Sequence, residues 1–176
     1  TKERTYSLLW LLDKTKTAMG SRMLKQMIEN PLIDKEEIEN RYDMVSKLLE
    51  EFLLKDELKD LLKEVYDLER LAGRVSFGNA NARDLLQLKS SLKVLPRIKE
   101  IVSVLGFNLV IDDLTDLYEF LDKSIYENPP ITLKEGYLIK ADYNKELDDL
   151  KLARSGGKDF IAKLEEKEKE RTGIKN

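Results

Sequence analysis

The 176-residue sequence predicts an all-α protein: a multi-helix bundle with one small β-hairpin and a protruding, charged C-terminal helix. Three observations carry that prediction. Apolar residues recur at three- and four-residue spacing along most of the chain. Cap and stop residues punctuate those patterns at the expected places. Alternation of the strand type is confined to Ile131–Lys140, around Glu135-Gly136.

The elements follow in order. Tyr6 to Leu12 is a compact apolar patch ended by Asp13-Lys14-Thr15. Thr17 is placed to cap a helix through Glu29, with Met19, Met23, Leu24, Met27 and Ile28 on its face, until Asn30-Pro31 stops it. Asp34 and Glu37 have capping-box spacing, opening a helix with Ile38, Tyr42, Val45, Leu48, Leu49 and Phe52 along one side. A shorter helix over 56–66 turns Leu58, Leu61, Leu62 and Val65 inward.

Next comes a corner. A helix over 67–76 is joined through Ser76-Phe77-Gly78-Asn79-Ala80-Asn81 to a long helical pattern. Gly78 and Asn79 tolerate left-handed backbone angles. Asn81 can accept from the first amides of the next helix, and Asp84 favours its positive end. The long pattern runs from Leu85 through Leu92, Ile98, Ile101 and Val102 to Leu105, with a kink or break expected near Val94–Leu95 because of Pro96. Gly106 ends it. A helix over about 112–127 points Leu114, Leu117, Tyr118, Leu121 and Ile125 inward and closes at Asn128-Pro129-Pro130. After the hairpin, Asn144 caps a helix expected to break at Ser155-Gly156-Gly157. Residues 158–171 hold five acidic and five basic side chains and span about 21 Å as a helix. Thr1 in place of a start methionine, and a last helix running into Thr172–Asn176, predict an excised piece of a larger protein.

Composition excludes several chemistries. The sequence has no histidine and no cysteine, which removes the commonest general base, the commonest metal ligand and any thiolate nucleophile. No apolar run approaches the roughly 20 residues of a membrane helix, and the cysteine-free chain agrees with a reducing, cytoplasmic setting. Net charge is −3, with residues 67–110 carrying seven basic and four acidic side chains. That local excess is a weak nucleic-acid footprint.

Motif tests are equally sparing. Gly156-Gly157-Lys158 lacks phosphate-loop spacing, because Asp159 stands where Ser or Thr belongs and Leu152 where the first glycine belongs. Asp112-Asp113 and Asp148-Asp149 fall in first turns of predicted helices, where acids favour the dipole and stay solvated. The Met19, Met23, Met27 series reads as core packing before a partner groove, and Trp10 as a core or interdomain anchor. Arg70, Arg74 and Arg83 are expected to pair with Asp67, Glu69 and Asp84, or with another domain. With Gly78 and Asn81, these residues form a candidate interdomain or structural joint: Asp67, Arg70, Arg74, Gly78, Asn81, Arg83 and Asp84.

The wording of Asp67–Leu88 resembles the core domain of the MutS family of DNA mismatch-recognition proteins. So do Leu8–Asp13, Thr17–Lys25 and Glu29–Leu32, then Asn128-Pro129-Pro130 with Gly136, Tyr143–Asp148 and Glu168–Gly173, in order over nearly the whole chain. Met27, Asn79, Ala82 and Asp142 depart from residues common there. The resemblance implies a core, or lever, domain over 1–130 and, over 131–176, a hairpin and lever helix leading into a truncated clamp domain. It also implies a parent that binds mismatched double-stranded DNA and ATP with magnesium, works as a homodimer, and carries its ATPase domain downstream. The fragment itself is then a structural and allosteric link without catalytic, cofactor or metal site, whose partners are the parent's other domains and no membrane. The alternative is a free-standing helical interaction scaffold with no DNA role. A carboxylate-only enzyme ranks third.

Overall fold

The computed structural model describes residues 6–172, with the backbone alone at 158–160. Those residues form eight α-helices and no β-strand: α1 Leu8–Leu12, α2 Ala18–Glu29, α3 Lys35–Glu50, α4 Phe52–Lys63, α5 Leu68–Ser76, α6 Ala82–Val104, α7 Thr115–Ser124 and α8 Lys145–Thr172. The all-α class stands. The chain ends, on which the expectation of an excised piece rests, lie outside the described residues.

Local signals explain the boundaries. Thr17 Oγ1 accepts from the Gly20 amide at 2.9 Å, and Asp34 Oδ1 from the Glu37 amide at 3.0 Å, each filling one orphan donor of a helix start. Gly106, at φ 67°, closes α6: its amide donates to Ser103 O, and that of Phe107 to Val102 O. This paired return is the Schellman arrangement, which needs a residue that accepts a left-handed backbone.

The chain divides into two compact units between Leu138 and Ile139. In the first, α6 is the central element, packed against α4, α5 and α7, while α3 packs on α4 and α1 on α2. Val94, Ile98 and Val102 of α6 bury against Leu58, Leu61, Leu62 and Val65, with Leu95, Phe107 and Ile111 completing the cluster. Ile101 is fully inaccessible, and Leu92, Leu105, Leu121 and Ile125 are buried. Pro96 does not break α6; it sits on the exposed side while burial on the opposite face carries the helix through. The second unit contains α8, which starts where Asn144 Oδ1 accepts from the Leu147 amide at 2.9 Å.

Four expectations are corrected. The hairpin over 131–140 is absent: Leu133–Glu135 is a single 3-10 turn, Gly136 takes φ 77°, and the Thr132 hydroxyl donates to Glu135 at 2.6 Å. The turn therefore closes on its own side chain, and Leu138 O accepts from Tyr126 N at 3.0 Å instead of pairing across Glu135-Gly136. The helix expected over 112–127 is shorter, because the Asp112 carboxylate takes the Leu114 amide and Leu114 adopts a left-handed backbone. Asp112 and Asp113 consequently precede the helix. No break occurs at Ser155–Gly157; α8 runs through it. Glycine in a helix interior costs only about 1 kcal/mol relative to alanine, which the strong helix formers around this pair offset. Finally, Tyr42, Val45, Leu49 and Phe52 are exposed, as are Met23 and Trp10, so the α2 and α3 stripes are only partly core. Each of these helices has one close helical neighbour, which cannot cover a wide apolar stripe.

Candidate functional site

The corner between α5 and α6 is built from two cap motifs back to back. Gly78, at φ 68°, ends α5 by the same paired return as Gly106: its amide donates to Val75 O at 3.0 Å and that of Asn79 to Arg74 O at 2.9 Å. Three residues on, a complete capping box opens α6. Asn81 Oδ1 accepts from the Asp84 amide, and Asp84 Oδ2 from the Asn81 amide, both at 2.9 Å. Gly78 supplies the left-handed turn; Asn79 does not need one.

Asp84 is buried, and its other oxygen accepts from Arg74 Nη1 at 2.5 Å. Asp67 caps α5 by accepting from the Arg70 amide at 3.3 Å. Its carboxylate is gripped end-on by Arg22 of α2, with both guanidinium contacts at 2.7 Å, while Arg22 Nε reaches Glu69 at 3.0 Å. Hydrogen bonds from Arg22 hold the Asp67 carboxyl below the ordinary carboxylate range. Arg70 lies 3.3 Å from the same carboxylate but is 80% exposed. Arg83 is exposed and donates to Pro129 O at 3.4 Å.

The seven residues singled out from the sequence thus gather at one corner, with altered pairings. Arg74 pairs with Asp84 and Arg70 weakly with Asp67, as expected of these types. Arg83 turns to a backbone carbonyl, and Glu69 is taken by Arg22. Arg22 and Ser91 are the residues that sequence reasoning missed. The fully buried Ser91 hydroxyl donates to Gln87 O and accepts from the Tyr66 amide, both at 2.9 Å, tying the α4–α5 link to α6. A single arginine 45 residues from its partner carries no local signal, and neither does one serine in a helix.

A shallow cleft of about 570 Å³ opens beside the corner, lined by Tyr66, Arg70, Leu71, Arg74, Phe77 and Gln87, among others. Among the described residues, no three His, Cys, Asp or Glu side chains gather to hold a metal ion. Gly156-Gly157 lies inside α8, where helical bonding uses the backbone amides that a phosphate cradle would need free, so this segment does not fit a nucleotide. Among the described residues, no helix is long and apolar enough to cross a membrane.

The corner joins capped helices of an all-α protein through arginine–carboxylate bridges, one of them on the buried Asp84. Comparison with known proteins fixes the family: the model for MutS domain III matches residues 1–172, and the chain belongs to that family. It is 53% identical to the DNA mismatch repair protein MutS of Bacillus subtilis (strain 168), over 99% of this chain and 21% of that protein. The MutS of Bacillus pumilus (strain SAFR-032) is 54% identical over 99% of this chain and 21% of its own length. That of Bacillus cytotoxicus is 53% identical over the whole chain and 20% of its length. The chain therefore spans about one fifth of the curated relatives it matches.

Proposed function

We propose that this chain acts in DNA mismatch repair as the structural and allosteric core of a MutS-type protein. In that reading it links an ATPase domain to a DNA clamp, and the parent binds mismatched DNA and ATP, works as a homodimer and is cytoplasmic. The observation that carries the reading is the match of residues 1–172 to MutS domain III, at 53% identity to a named mismatch repair protein. The corner supports it physically. Its arginines are engaged with carboxylates and a carbonyl of the same chain, which suits a joint better than a ligand site. The division into a mechanical link here and chemistry elsewhere predicts that the purified chain does not turn over ATP.

The test is a transplant. Residues 1–172 replace the corresponding domain of Bacillus subtilis MutS in a strain lacking its own copy. Restoration of a low mutation rate is expected; a rate as high as that of the empty strain, with the hybrid folded and expressed, contradicts the proposal. ATP turnover by the isolated chain would contradict the separation of roles.

A further inference from the structure

The corner contains a repeated device. At the start of α5 and again at the start of α6, one aspartate both caps the helix and receives an arginine from a helix earlier in the chain. Asp67 caps α5 and is gripped by Arg22 of α2. Asp84 completes the α6 capping box and is gripped by Arg74, which stands in the last turn of α5. The two bridges stand at opposite ends of α5, nine residues or about 13 Å of helix.

The surroundings make this chain of contacts directional. The close packing partner of α2 is α1, whereas α5 packs on α6. Arg22 is the side chain through which α2 makes its hydrogen bonds to α5, and it is only partly shielded, with 38% of its side chain exposed. Asp84, at the other end, is buried. A helix start that loses its cap frays, because its first amides return to having no partner. We propose that Arg22–Asp67 and Arg74–Asp84 form a relay through which the position of the α1–α2 pair sets the order of the first turn of α6. Withdrawal of α2 removes Arg22 from Asp67, loosens the first turn of α5, shifts Arg74 and weakens the α6 capping box. The relay deepens the joint reading by naming the route and adding Arg22 to it. It is an internal property of the chain and does not require the mismatch-repair assignment.

Amide hydrogen exchange on the 176-residue chain tests it. Arg22→Gln is expected to speed exchange about three- to tenfold in the first turn of α5 and also in the first turn of α6 (residues 82–86). Exchange at 94–102, in the buried stretch of α6, stays unchanged. Arg74→Gln speeds residues 82–86 and leaves α2 unchanged. The double variant exchanges at 82–86 no faster than Arg74→Gln alone, because both act on one route. An Arg22→Gln effect confined to α1, α2 and residues 67–70 overturns the relay, as does full additivity in the double variant. If Arg22→Gln speeds exchange throughout, Glu69→Gln decides, since it weakens the Arg22 grip and leaves the Asp67 cap in place. It is then expected to raise exchange at 82–86, and no change there overturns the relay. None of these outcomes bears on mismatch repair, so failure of the relay leaves that assignment standing.

Discussion

Arg74 donates to one oxygen of Asp84 at 2.5 Å while the other accepts the Asn81 amide at 2.9 Å, so one buried carboxylate holds two helices at their junction. Asp84→Ala removes the box and the bridge together. It is expected to destabilise the chain by about 2 kcal/mol, and Asp84→Asn, whose amide oxygen still accepts, by about 1 kcal/mol. Urea unfolding followed by far-ultraviolet circular dichroism measures both; a change under about 0.5 kcal/mol for the alanine variant would show that Asp84 does not hold the junction.

Two glycines, one inside α5 and one in the corner turn, should respond with opposite sign. Gly73 is inside α5, and an added Cβ meets nothing within 4 Å, so Gly73→Ala is expected to stabilise by up to about 1 kcal/mol. Gly78 has equal space but φ 68°, so Gly78→Ala is expected to destabilise by about 1–2 kcal/mol through backbone strain alone. Thermal unfolding of the pair checks the sign; equal shifts in one direction contradict the cap geometry.

The Arg22 grip on Asp67 predicts a pH signature. Because the folded carboxyl titrates below its ordinary value of about 3.9, the bridge contributes fully above that pH and is lost as pH falls through the depressed folded value. The stability gap between the wild-type chain and Arg22→Gln should therefore be level from pH 7 to 5 and narrow below pH 4. Added salt should narrow it at neutral pH as well, because Arg22 is partly exposed. A gap that widens on acidification contradicts the assignment.

Much of this was legible in the sequence, and the reason is locality. Thr17, Asp34, Gly78, Asn81 and Gly106 act on amides or carbonyls within five residues, so their spacing in the chain is their geometry. Residues 131–140 misled because alternation of side-chain type does not by itself fix an extended backbone; Gly136 and the Thr132–Glu135 contact closed a 3-10 turn instead. Ser155–Gly157 misled because composition weighs breakers without weighing the helix formers on each side. The partners of Arg22 and Arg83 were illegible for a different reason: they lie 45 and 46 residues away, and only the packed fold selects one carboxylate or carbonyl among many.

Depth of burial, rather than apolarity, should rank the core. Ile101→Ala, at a position with no accessible surface, is expected to cost about 2–5 kcal/mol. Val45→Ala, on the exposed α3 stripe, should stay within about 0.5 kcal/mol. Chemical denaturation of the two variants separates them; comparable losses would show that α3 is covered in solution.

A chain that serves as a joint, with mismatch reading lying outside it, should not tell a mismatched duplex from a matched one. Fluorescence anisotropy of the purified chain against a matched duplex and a single-mismatch duplex, at about 50 and about 200 mM salt, decides this. Weak binding is expected, equal for the two duplexes and reduced by salt. A preference of about tenfold or more for the mismatched duplex, some 1.4 kcal/mol, would contradict it.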